Sequence, residues 1–131
     1  MTDGSAETLV VGTSRPAEGV LLVTLEGEAD ILSSASIGRP LESLDAHAGT
    51  HVVFDLSGVS FIDSSGVNAL VQCVRTLEAQ GDSAVLACPS PEVGRVFEIL
   101  GLAQVVRVES DRARALERPP TPLPRAADGD A

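Results

Sequence analysis

The sequence predicts a single α/β domain built on a mixed β-sheet of four to five strands covered by α-helices, and three observations predict it. Apolar runs at Val20 to Glu26, His51 to Asp55 and Ala84 to Ala87 alternate with segments of helical period, the order of strands joined by crossovers. Val52, Val53 and Phe54 are apolar at consecutive positions, as in a strand covered on both faces. Val67, Leu70, Val71, Val74 and Leu77 recur at i, i+3, i+4, i+7 and i+10, one stripe of an amphipathic helix. A chain of 131 residues that is 44% apolar fits one packed core.

In chain order, residues 1–8 are polar and are expected to form a flexible N-terminus. Leu9 to Val11 make a short first strand, closed by Gly12 and a turn-like segment from Thr13 to Gly19 that contains Pro16. Val20 to Glu26 is the second strand and the first one's antiparallel hairpin partner. Gly27 to Asp30 (G-E-A-D) reads as an exposed turn. A broken helix follows: one turn near Leu32 to Ile37, then a second piece with Pro40 at its first position and Leu41 and Leu44 inward. His51 to Asp55 is the third strand, and a loop leads from it to the best helix, Ser65 to Gln80, stopped by Gly81. Ala84 to Ala87 is the fourth strand, and Ser90 and Pro91 open a helix with apolar positions Val93, Val96, Phe97 and Leu100, stopped by Gly101. Val105 to Val108 is a possible fifth strand, and Asp111 to Glu117 a short closing helix with Ala113 and Leu116 inward. The domain thus covers residues 9–117, and the proline-rich acidic tail 118–131, which has little to bury, is expected to be disordered.

Composition removes several functions. The 9 basic and 19 acidic residues give a net charge of −10, which opposes binding to nucleic acid or to anionic lipid. All basic residues are arginine, so a phosphate loop lacks its lysine and Schiff-base chemistry lacks its amine. No glycine fingerprint for a dinucleotide follows a strand, and no cofactor is expected. Cys73 and Cys88 lie in apolar segments without a C-x-x-C or a histidine pair, which predicts buried free thiols and no metal site, in keeping with a reducing cytoplasm. His47 and His51 flank a glycine-containing loop with no carboxylate or cysteine arranged beside them, and surface or strand-edge roles are expected for both. No apolar run is long enough to span a membrane, no export signal opens the chain, and no nucleophile has a recognisable base and orienting partner, so no enzyme activity is expected.

What remains is Asp55 to Gly66, D-L-S-G-V-S-F-I-D-S-S-G. Asp63, Ser64 and Ser65 fall at a helix start, where unpaired N–H groups and a partial positive charge favour anionic oxygens. On spacing alone, Asp63 and Ser64 read equally as caps that need no kinase, with Gly66 allowing a tight turn.

This stretch resembles the signature of the STAS domain of bacterial anti-sigma factor antagonists. The likeness runs over roughly residues 9–117 and includes G-E-A-D at Gly27 to Asp30 and S-P-E-V-G-R-V-F-E-I-L-G-L at Ser90 to Leu102. It implies that Ser64, the serine directly after the aspartate, is phosphorylated by an anti-sigma factor that is also a serine kinase. The unphosphorylated form would bind that anti-sigma factor and free a sigma factor, and a metal-dependent Ser/Thr protein phosphatase would reset the switch. Ser65 is the alternative acceptor, although one position further into the first turn its hydroxyl is expected to serve the backbone. Because the family's G-E-A-D loop lies close to its phosphoserine loop, the implied partner surface comprises Glu28, Asp30, Asp63, Ser64, Ser65 and Gly66. The chain departs from the family at Gly38, Arg39 and Pro40, where an uninterrupted helix is usual. A STAS-like scaffold or accessory subunit of a transporter or stress-signalling assembly, with the serine only a cap, is the other reading.

Overall fold

The structure, a computed structural model, describes residues 9–43 and 49–117; the N-terminal eight residues, Leu44, His47 and the tail from Arg118 lie outside the described residues. Five strands form one sheet in the order β1 (Leu9–Ala17), β2 (Val20–Ala29), β3 (His51–Ile62), β4 (Ser83–Ala87) and β5 (Val108–Glu109). The β1–β2 pair is antiparallel and the other three pairs are parallel, so the sheet is mixed as expected. A ten-residue 3-10 helix (Ser34–Ser43) joins β2 to β3, and α1 (Ser64–Ala79), α2 (Pro91–Leu100) and α3 (Arg112–Leu116) complete the fold.

The alternation of side chains along a strand sorts the sheet's residues to two faces. Leu21, Val23 and Leu25 of β2, Val52, Phe54 and Leu56 of β3 and Leu86 of β4 point into the larger core with Val67, Leu70, Val74 and Leu77 of α1 and Val93 and Phe97 of α2. Val20, Leu22, Val53, Val85 and Ala87 point to the other face, where Ala115 and Leu116 of α3 cover them. Both faces of β3 are therefore buried, which explains its continuous apolar run.

Several elements differ from the sequence expectation, and pairing explains most of them. The first strand runs to Ala17, leaving only the two-residue turn Glu18–Gly19, because Leu9 to Ser14 and Ala17 pair with β2. Pro16 is tolerated because β1 is an edge strand, and the register shifts between Ser14 and Ala17 around it. Gly27 to Ala29 belongs to β2 and not to a turn. The stretch after Asp55, as far as Ile62, read as a loop, continues β3, with register shifts that take up Ser57 and Ser60 while Gly58 pairs with Glu26. The broken helix is one 3-10 helix that passes through Gly38 and Pro40, with Ile37 buried and Leu41 packed against the core.

At the C-terminal end, β5 begins at Val108, since Leu102–Gln104 turn in a second 3-10 segment. Ala115, and not Ala113, is the buried alanine of α3. His51 is fully buried, contrary to a surface or edge role. The Ala115 carbonyl accepts from its Nε2 at 2.8 Å, and its Nδ1 lies 2.7 Å from the Ser83 hydroxyl, so the imidazole ties the starts of β3 and β4 to α3. Both cysteines are free but only half-buried, and burial pushes the Cys73 thiol above its ordinary value.

Candidate functional site

The site forms where the C-terminal ends of two parallel strands meet the start of α1. Register pairs Glu28 with Phe61 and Ala29 with Ile62. The chain then turns through Asp63 into the helix, and the Asp63 N–H donates to the Ala29 carbonyl at 3.2 Å. Asp63 is the N-cap: its Oδ1 accepts from the amides of Ser65 at 2.9 Å and Gly66 at 3.1 Å, satisfying two donors that no helical carbonyl can reach.

Gly66 fixes how closely the helix start approaches β2. A Cβ at this position would collide with the Ala29 carbonyl oxygen and stand only 2.8 Å from Ile62 Cγ1. The need for glycine is thus close packing, not a tight turn. This contact joins the G-E-A-D segment to the serine segment, as the resemblance implied.

Ser64 is the first residue of the helix and is exposed; Ser65 is half-buried. Neither hydroxyl bonds to another described residue, so Ser65 engages Asp63 through its amide and not through the side chain expected to serve the backbone. With capping carried by Asp63, the Ser64 hydroxyl has no structural task among the described residues and projects at the positive end of a sixteen-residue helix.

The two acids of the neighbouring loop differ in kind. Glu28 is exposed. Asp30 is directed into its own loop, where Oδ1 accepts from the amides of Leu32 and Ser33, both at 3.1 Å. The Ser33 hydroxyl accepts from the Asp30 amide at 3.0 Å and donates to the Glu28 carbonyl at 2.8 Å, closing the loop on itself. Of the six residues expected to form the site, all six therefore gather at one end of the sheet. Sequence reasoning missed Ser33, which organises this loop, and the exposed apolar residues Ile31, Leu32 and Phe61 around it. For Ile31 and Leu32 the signal was an apolar pair beside the G-E-A-D segment; Phe61 gave none, since strict alternation would put it on the face of buried Val59 and only the register shift between the two turns it out.

A family model for the STAS domain matches residues 14–115, and the chain belongs to that family. Among curated relatives it is similar to an anti-sigma F factor antagonist of Paenibacillus polymyxa, 26% identical over 99 residues, which cover 75% of this chain and 85% of the relative. Among solved structures, an anti-sigma factor antagonist from Mycobacterium paratuberculosis superposes with a TM-score of 0.73 at 20% identity, covering 86% of this chain and 93% of that one. The anti-sigma factor antagonist SpoIIAA in its unphosphorylated form gives a TM-score of 0.62 at 25% identity, covering 83% and 100%. The phosphorylated form of the Bacillus protein gives 0.59 at 23% identity, covering 80% and 96%.

Proposed function

We propose that this chain is an anti-sigma factor antagonist controlled by phosphorylation of Ser64. The unphosphorylated form binds an anti-sigma factor that is also a serine kinase, and that binding releases a sigma factor. Transfer of the terminal phosphoryl group of ATP to Ser64 Oγ, with loss of the hydroxyl proton, ends the interaction. A Ser/Thr protein phosphatase restores the hydroxyl. The chain itself carries no catalysis in this scheme and acts as substrate and competitor.

The observation that carries this reading is the division of labour at the helix start: Asp63 caps, while Ser64 projects an exposed hydroxyl without a bond to another described residue. The names of the relatives, and the existence of SpoIIAA in a phosphorylated form, support it. A phosphate adds roughly −1.5 to −2 charges at this point. Two of the nearest amides, of Ser65 and Gly66, already serve Asp63, so the phosphate gains chiefly the field of the helix end. It is tolerated by the isolated domain and rejected by an interface shaped for a neutral hydroxyl.

The test is phosphosite mapping after incubation with the cognate kinase and ATP. Label on Ser64 that disappears in Ser64→Ala, together with weakened complex formation by Ser64→Asp, is the expected result. Label that persists in Ser64→Ala refutes the assignment, and label on Ser65 transfers the switch to the neighbouring hydroxyl.

A further inference from the structure

The loop after β2 displays apolar side chains for which the fold has no use. Ile31 is 73% exposed and Leu32 81%, and Phe61, at the end of β3, is 48% exposed. They do not project because the loop is slack. The Asp30 carboxylate holds the amides of Leu32 and Ser33, and Ser33 is pinned to the Glu28 carbonyl, so the turn is fixed by its own hydrogen bonds with Ile31 and Leu32 on the outside.

Two further facts say what covers them. First, the three residues lie at the same end of the sheet as the serine segment: Phe61, paired with Glu28, is three residues before Ser64, and the Ala29 carbonyl that receives the Asp63 amide lies two residues before Ile31. A partner that brings a kinase site to Ser64 lies over this loop. Second, exposed Glu28, paired with Phe61, borders the patch in a chain of net charge −10. That border disfavours an anionic lipid surface and suits a protein socket that is apolar within and arginine- or lysine-bearing at its rim.

We propose that Ile31, Leu32 and Phe61 are the apolar anchor by which the anti-sigma factor docks beside Ser64, and that Asp30 is a positioning residue that holds the anchor outward and not a charged contact. This rests on the function proposed above and assigns that site its specificity: the apolar residues select the partner, and Ser64 controls it.

The experiment uses full-length chains and the purified anti-sigma factor, identified with the wild-type chain as bait and loaded with ADP so that no phosphate is transferred. Affinity is measured for the wild type, Ile31→Ser/Leu32→Ser, Asp30→Ala and Asp30→Asn. The double variant and Asp30→Ala are expected to bind about tenfold or more weakly, whereas Asp30→Asn, which keeps an oxygen acceptor for the two amides, stays within about twofold of wild type. Wild-type affinity in Ile31→Ser/Leu32→Ser overturns the anchor. Asp30→Asn as weak as Asp30→Ala overturns the positioning role, because charge is then what the partner reads. Labelling of Ser64 in the presence of ATP separates the two levels. A wild-type chain that is neither bound nor labelled defeats the proposed function and this inference with it, while a wild type that is bound and labelled beside an unaffected double variant defeats the inference alone.

Discussion

Ser64 and Ser65 are neighbours in one helix start, and what separates them is Asp63. Its carboxylate accepts from the Ser65 and Gly66 amides, which frees Ser64 from any capping task. Replacement of Asp63 by Ala is therefore expected to cost about 1 kcal/mol, and Asp63→Asn only a fraction of that, as read from thermal or urea melts. Ser64→Ala should melt with the wild type, and a loss equal to that of Asp63→Ala would make Ser64 the cap instead. Cys73 gives a residue-scale test of packing. Burial raises its thiol pKa, so less reactive thiolate is present at neutral pH, and alkylation by iodoacetamide should run slower than for an exposed cysteine and climb with pH. Cys73 lies on α1, packed against the core with its Sγ beside Gly38 of the 3-10 helix, and a rate equal to that of free cysteine contradicts this placement. The capping role of Asp63 was legible in the sequence because a cap is a local pattern. The role of His51 was not, since its partners Ser83 and Ala115 lie 32 and 64 positions away.

At the scale of elements, helices were read more truly than strands. The stripe of α1 and the Ser90–Pro91 opening of α2 are set by neighbours within the helix, and both bounds came within a residue of the structure. Strand ends are set by partners far away in sequence. Ser57, Gly58 and Ser60 look like a loop until β2 is laid beside them, and Gly12 and Pro16 look like breaks until β1 is recognised as an edge. The extension of β3 to Ile62 matters for function, because it delivers Asp63 and Ser64 to the helix from a paired strand and not from a mobile loop. Gly66→Ala tests that junction. Its methyl group must displace the Ala29 carbonyl or Ile62, so a destabilisation of about 1 to 3 kcal/mol is expected, with weakened partner binding from the shifted G-E-A-D segment. A variant as stable as wild type would show that β2 and α1 are not closely held there. His51→Leu leaves the Ser83 hydroxyl and Ala115 carbonyl without the imidazole, at a cost of about 2 to 4 kcal/mol. Hydrogen exchange should then show α3 losing protection ahead of α1, and uniform loss across the domain would argue against His51 as the tie.

For the whole molecule, the sheet has its larger core on one face and α3 on the other, and acidic and apolar residues gather at one end of it, the surface we propose a partner meets. A net charge of −10 predicts that association with a partner bearing basic residues slows as salt rises, whereas an on-rate insensitive to ionic strength would remove charge from the account. Fold class and the helix start that carries Ser64 were both readable from the chain, because they reside in periodicity and in one twelve-residue segment. The exposure of Ile31 and Leu32 was not, because only the folded loop shows Asp30 turned inward and these two turned out. The central claim is that one hydroxyl at Ser64 decides whether this surface is bound. Its most direct test is titration of the ADP-loaded anti-sigma factor with the purified chain in its unphosphorylated form and in the form carrying phosphate on Ser64 alone. Binding by the first, with loss of binding by the second at an unchanged melting temperature, is the predicted result; equal affinity of the two forms would contradict it.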